Sequence, residues 1–161
     1  MTPLPLLFLD VDGVLNPYGP VCPAGFTEQE LFPGEEPVRV CSEHGGWITE
    51  LLGAFEIMWA TAWNDDANRL LAPLLSIDPL PVLTMPPAPF HPGVKLRLIA
   101  GHAGSRPAAW IDDLHGPEAR TWRKHRQAPT LLISTDPASG LTRADVTKAA
   151  SWARALHEKA T

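Results

Sequence analysis

Short apolar runs bounded by turn residues recur along the chain, and stretches with helical spacing lie between them. Residues 5–11 (PLLFLDV), 55–61 (FEIMWAT), 80–84 (LPVLT), 108–112 (AAWID) and 129–134 (PTLLIS) are each short and almost continuously hydrophobic. Strands buried on both faces of a parallel sheet have this character, so these five segments are predicted strands. Ile48, Leu51, Leu52 and Phe55 recur at i, i+3, i+4 and i+7, and Ala67, Leu70, Leu71, Leu74 and Leu75 do so more fully, which predicts two helices that each bury one face. Asn64 is placed to cap the second, with Asp65 and Asp66 in a first turn where the helix dipole favours anions. Further helices are predicted over 93–101, from Gly116–Pro117 with proline in the first turn, and from Thr142, where Asp145 completes a capping box.

Strands alternating with helices predict an α/β fold. The expected architecture is a three-layer sandwich around a central, mainly parallel five-stranded sheet of the Rossmann-like kind. The 161 residues suit one domain spanning 1–161. Residues 17–40 are rich in proline and glycine, enough for a hairpin flap or ordered loop but not for a core of their own. The 18 prolines are about twice the usual share and fall between the apolar runs, where they punctuate turns. A net charge of −5 argues against a globally basic nucleic-acid binder while leaving a local basic patch open. Cys22 and Cys41 have no zinc-site spacing and are read as free thiols. No apolar run approaches the ~18 residues of a membrane span, and the first residues lack signal-peptide features, so a cytoplasmic location is expected.

Chemistry in parallel sheets gathers at the carboxyl ends of the strands, and the polar residues fall there. Asp10 and Asp12 stand at i and i+2 as the first strand ends, so both can face one site, and Gly13 then permits a sharp turn. Thr61 ends the second strand, Lys95 stands at the start of a helix, and Asp112 and Asp113 end the fourth. Crowded carboxylates need a counter-charge, and Mg²⁺ accepts such oxygens together with those of a substrate phosphate. Thr61 and Lys95 then suit the remaining phosphate oxygens. One Asp could attack phosphorus while its neighbour handles protons.

This pattern resembles the haloacid dehalogenase-like (HAD) superfamily on its phosphatase branch. LLFLDVDGVLNP (6–17) resembles its first motif and IMWATAW (57–63) its second; Lys95 occupies the third, and AWIDDLH (109–115) resembles the fourth. The resemblance implies that Asp10 is the nucleophile and Asp12 the general acid/base. Thr61 and Lys95 would bind phosphate. Asp10, the Asp12 backbone carbonyl and Asp112 would hold Mg²⁺, with Asp113 helping directly or through water. The acid at position 12 disfavours carbon–halogen hydrolysis, whose leaving halide needs no proton. DVDGVLNP and WATAWNDDAN (59–68) are also similar to the small capless domains called Swiss Army Knife RNA repair-like. No cap domain fits between Thr61 and Lys95, so an open crevice is expected.

The resulting expectation is a Mg²⁺-dependent phosphohydrolase acting on a nucleic-acid or nucleotide phosphate end. The alternatives are a phosphoprotein or small-metabolite phosphatase, or a non-catalytic phosphate-binding module. A receiver domain carries its acid pair on the first strand and its Thr before Lys on later strands, so the order here argues against one. Trp63 suits either a stacking wall for a nucleobase or packing against the flap. Asn64 is a further candidate substrate contact. Arg120, Arg123, Lys124 and Arg126 suit either a nucleic-acid backbone or a solvated helix face, with Arg123 the candidate contact. His115 and Glu118 read as a loop residue and a first-turn charge close to the site. With Asp10, Asp12, Asp112 and Asp113 assigned to a metal site, the remaining 14 acids nearly balance the 13 bases. The acidity is then largely that of the site and does not oppose an anionic substrate.

Overall fold

The computed structural model describes residues 2–161. Its strands are β1 (Leu6–Leu9), β2 (Phe26–Gln29), β3 (Val38–Cys41), β4 (Glu56–Trp59), β5 (Ala108–Asp112) and β6 (Thr130–Ser134). Its helices are α1 (Glu43–Leu52), α2 (Ala72–Leu75, preceded by a π-helical turn over Ala67–Leu71), α3 (Pro92–Ala103), α4 (Pro117–His125) and α5 (Arg143–Ala160). Four strands form a parallel sheet in the order β4-β1-β5-β6, and β2 and β3 pair separately as an antiparallel hairpin.

Alternation along the strands sorts the core into two layers, because successive side chains point to opposite faces. Leu7, Leu9, Ile57, Trp59, Ala109 and Ile111 pack with Ile48 and Leu51 of α1, Leu75 of α2, and Val146, Ala149 and Ala153 of α5. Leu6, Phe8, Met58, Ala108 and Trp110 pack on the other face with Ile99 and Ala103 of α3 and Ala119 of α4. The α/β three-layer sandwich is therefore as expected. The Thr142–Asp145 capping box is formed in both directions, and Pro92 and Pro117 occupy the first turns of α3 and α4. Among the described residues no helix is long and apolar enough to cross a membrane, and both cysteines are free.

Two expectations are corrected. Residues 80–84 do not form a fifth strand; they touch the sheet through one bridge, Trp59 to Val82, where the N–H groups of Trp59 and Leu83 donate to Pro81 and Trp59 carbonyls at 2.9 Å each. Pro81 has no N–H to continue a ladder, and Pro86 and Pro87 follow. The segment is held instead by side chains. Asn68 bonds both backbone groups of Leu80, and Asn64 bonds both of Met85, at 2.7–3.1 Å. Asn64 is thus not a helix cap: it has φ +49° and clamps residue 85, and the helical segment begins at Ala67. Asparagine tolerates this left-handed conformation better than most residues.

The strand order reverses at β1. The chain leaves β1 for β4 on one side and later returns to β5 on the other. That places a crevice at the carboxyl ends of β1 and β5, where such sheets bind ligands. No cap lies between Thr61 and Lys95: the chain there is taken up by the π-helical turn, α2 and the proline-rich segment.

Candidate active site

The crevice has a volume of about 230 Å³, and Asp10, Asp12, Thr61, Lys95, Asp112 and Asp113 all line it. Six residues spread over more than a hundred positions are thus brought to one edge of the sheet. Asp10, Asp112 and Asp113 offer carboxylate oxygens that all lie within 4.8 Å of one another. The Asp12 carboxylate lies outside that cluster. It is exposed and accepts from Asn16 Nδ2 at 2.9 Å and Trp63 Nε1 at 3.1 Å.

Each acid is fixed by local structure. The backbone N–H of Asp10 donates to Ile111 O at 3.2 Å, continuing the β1–β5 ladder by one step, and Asp10 Oδ1 accepts from the N–H of Val11 at 2.8 Å. Asp112 accepts from the Trp110 indole and from the N–H of Leu114, both at 3.1 Å. Asp113 Oδ2 accepts from the Tyr18 hydroxyl at 2.8 Å. Gly13 has φ +77°, and a Cβ there would fall on the Asp113 carboxylate. Glycine is required at this position both for the turn and for the close approach of the two strand ends. The carbonyl of Gly13 accepts from Thr135 Oγ1 at 2.7 Å, which ties the turn to the end of β6.

Lys95 enters from the first turn of α3, which begins at Pro92 after His91 caps it by accepting from the N–H of Gly93 at 3.0 Å. Its ammonium sits 2.6 Å from Asp112 and 3.3 Å from Asp10, with all three side chains nearly buried. One cation facing three carboxylates leaves excess negative charge. Burial pushes the Asp10 carboxyl up to about 8, with Lys95 opposing and Asp112 reinforcing the shift. Burial acts on Asp112 in the same sense, but Lys95 outweighs it and holds Asp112 below the usual carboxylate range. Asp113 is raised by burial, and its bond to Tyr18 works the other way. Burial alone would lower Lys95, yet its two acid partners raise it, so it stays charged.

Thr61 is buried, and its hydroxyl oxygen accepts from the N–H of Trp63 at 3.2 Å, which leaves its proton free to donate. Trp63 is half-buried and packs against Phe32 of the hairpin loop, the two rings nearly perpendicular with centroids 5.0 Å apart. The amide of Asn64 is engaged by Met85 as described. Arg123 is exposed in the last turn of α4 and does not line the crevice, whereas Glu118 in the first turn does. Arg126 is turned inward, donating to Gly104 O at 2.9 Å and Arg106 O at 2.6 Å and stacking on Trp122. Arg120 donates to the His115 carbonyl at 2.9 Å. The basic cluster is therefore divided: Arg126 is turned inward, whereas Arg120, Arg123 and Lys124 are exposed. His115 is buried rather than a free loop residue; its Nδ1 is 2.8 Å from Ser134 Oγ, and its ring meets Trp110 edge-on at 4.6 Å. Burial lowers its pKa.

Sequence reasoning missed Asn16, Tyr18, Arg39 and Thr135. Asn16 lies inside the DVDGVLNP run and Tyr18 just beyond it, so adjacency to the first motif was the available signal. Arg39 and Thr135 carried none, since their contacts depend on the path of the hairpin and on the end of β6.

A parallel sheet with an Asp-x-Asp turn after its first strand, a buried Thr after the neighbouring strand, a helix-borne Lys and an Asp pair on a third strand defines a haloacid dehalogenase-like hydrolase. A family model described as "HAD domain in Swiss Army Knife RNA repair proteins" matches residues 6–146, and the chain belongs to that family. No curated protein and no solved structure matches it. Membership in this family points to phosphohydrolase chemistry on a phosphorylated substrate and to a divalent metal.

Proposed function

We propose that the protein is a Mg²⁺-dependent phosphohydrolase that works through a phospho-aspartate on Asp10 and acts on a nucleotide or nucleic-acid phosphate end. The observation that carries this reading is the meeting of Asp10, Asp112 and Asp113 within 4.8 Å, with Lys95 bridging two of them. The donor set consists of oxygen atoms, its charge is under-compensated, and burial keeps the Asp10 carboxyl high without further positive charge. Such a set fits a hard divalent cation. Asp10, the Asp12 carbonyl and Asp112 would hold it, with Asp113 direct or through water. When bound, the ion neutralises the carboxylates and the phosphate oxygens beside them.

The residues of the chain account for the rest. Thr61 donates its free hydroxyl proton to one phosphate oxygen, and Lys95 supplies fixed positive charge beside the nucleophile. A carboxylate oxygen of Asp10 attacks phosphorus, and the bond from phosphorus to the leaving oxygen breaks. Asp12 gives that oxygen its proton. Water then attacks the phosphoryl group, Asp12 takes the proton from the water, and the bond to Asp10 breaks to release inorganic phosphate. The first transfer leaves Asp12 as the carboxylate that the second step needs, and Asn16 and Trp63 hold that exposed side chain in place by donating to its two oxygens.

The substrate class is supported by three features: the absence of a cap between Thr61 and Lys95, the exposed Arg123 and Lys124 at the far end of α4, whose first turn lines the crevice, and the family description's mention of RNA repair. The test is turnover of an aryl phosphate with and without Mg²⁺, beside Asp10→Asn. A panel of 3′- and 5′-phosphorylated oligonucleotides, nucleotides, sugar phosphates and phosphopeptides follows. Metal-dependent turnover that is lost in Asp10→Asn is expected, with the highest kcat/KM on a nucleotide or oligonucleotide. No turnover above the variant with any of several divalent metals would defeat the phosphohydrolase reading. Cleavage of sugar phosphates alone would defeat the substrate class.

A further inference from the structure

Tyr18 meets the crevice through Asp113, which lines it, and has 50% of its surface exposed, yet it is firmly held. Its hydroxyl donates to Asp113 Oδ2 at 2.8 Å, and its backbone N–H donates to Pro137 O at 2.9 Å. The flanking backbone is caged by a single guanidinium from β3. Arg39 donates to the carbonyls of Pro17 at 3.5 Å, Gly19 at 2.8 Å and Val21 at 3.2 Å. Arg39 is itself largely buried and paired with Glu28 at 3.7 Å, and its backbone N–H donates at 2.9 Å to Asn16, whose amide holds Asp12. Leu114, which directly follows Asp113, is 59% exposed and lines the same crevice.

Ordering backbone costs roughly 1–2 kcal/mol per residue, and a half-exposed ring recovers little of that by burial. Apolar surface kept both exposed and immobile beside a crevice is a preorganised binding surface. We propose that Tyr18 is a substrate-binding residue whose ring supports a planar aromatic part of the leaving group, so that the preferred ester bears a nucleobase. This inference rests on the phosphohydrolase reading. With the Tyr18 hydroxyl docked on Asp113, the ring is what remains to meet a ligand. It favours stacking over hydrogen-bond readout and so tolerates any base. Trp63 has the same design, with its polar tip docked on Asp12 and its ring partly exposed. Asp12 and Asp113 thus each hold an aromatic side chain, and a sugar phosphate without a base offers neither ring a π face.

The test is steady-state kinetics of wild type, Tyr18→Phe and Tyr18→Ala on nucleoside monophosphates and on the matching base-free ribose phosphates, with Mg²⁺. The ratio of the two KM values is read, because it cancels any loss common to both substrates through Asp113. Wild type and Tyr18→Phe are expected to favour the base-bearing ester, and Tyr18→Ala to lose about 5-fold or more of that preference. An oligonucleotide with a terminal phosphate separates the two sources: a lower KM than the free nucleotide assigns a strand end, and an equal one assigns a single nucleotide. Hydrolysis with an unchanged ratio in Tyr18→Ala overturns the inference and leaves the phosphohydrolase reading standing. Failure of wild type to hydrolyse any ester overturns both.

Discussion

Asp10→Asn should change how stability depends on pH in the metal-free protein. Folding moves the Asp10 carboxyl from 3.8 to about 8, chiefly through burial. A carboxyl raised on folding stabilises the fold while it is protonated. That contribution is complete below 3.8 and is lost as the pH climbs through about 8. Between about pH 7 and 9 the wild type therefore loses about 1.4 kcal/mol from this group. In a domain of this size that lowers Tm by roughly 3–6 °C. Asparagine keeps the volume and cannot ionise, so Asp10→Asn should lack this part of the slope. Saturating Mg²⁺ should remove it from wild type as well, because the carboxylate is then ionised throughout the range. The assay is urea or thermal unfolding at several pH values in chelator, and again with Mg²⁺. Equal slopes for wild type and Asp10→Asn in chelator would show that the carboxyl is already ionised at neutral pH, and the charge-deficit reasoning would fail.

Lys95→Met removes the cation between Asp10 and Asp112, all nearly buried, and should cost about 3–5 kcal/mol in metal-free urea unfolding. A loss below about 1 kcal/mol would contradict the geometry of this triad. Gly13→Ala places a Cβ against the Asp113 carboxylate at a positive φ; it should cost about 1–2 kcal/mol from the backbone and raise the Mg²⁺ concentration needed for half-maximal activity. An unchanged metal requirement would separate Asp113 from the metal site. His44 is buried against Phe26 and Trp47, and burial lowers its pKa from 6.5 to about 4. Its contribution is present above 6.5 and is lost as the pH falls through about 4, by about 3 kcal/mol. His44→Leu should flatten the acid limb of an unfolding-midpoint series by that amount.

The sheet was legible because β1 and β5 are buried throughout, β4 is buried after Glu56, and β6 buries Leu131 and Ile133 with Leu132 half-buried, so each appears as a short apolar run. Residues 80–84 share that composition, but Pro81 withholds the N–H that a ladder needs, and hydrophobicity does not register a missing donor. Asn64 was misplaced because the polar amide that caps helices also tolerates a left-handed turn; nothing local predicted Met85 as its partner across the fold. The candidate site was legible because its residues lie at strand ends and a helix start in a fixed order, and the fold brings them to one crevice. The support around it was not. Arg39 reaches the Pro17–Val21 loop through the β2–β3 pairing, and Tyr18 reaches Asp113 across 95 positions, contacts that exist only once the hairpin has folded back. Arg126 shows the converse: a residue with the composition of a surface patch is spent on closing the turn around Gly104 and Arg106.

Trapping the covalent intermediate tests the central claim most directly. Asp12→Asn, incubated with Mg²⁺ and an aryl phosphate whose leaving group needs no proton, is acid-quenched and analysed by peptide mass spectrometry. Loss of the general base should slow the attack of water more than the first transfer. The peptide containing Asp10 should then carry one phosphoryl group that hydroxylamine removes, and the Asp10→Asn protein should carry none. Turnover by the wild type together with an unmodified Asp10 in the trapped variant, or a phosphoryl group on a different residue, would contradict the account.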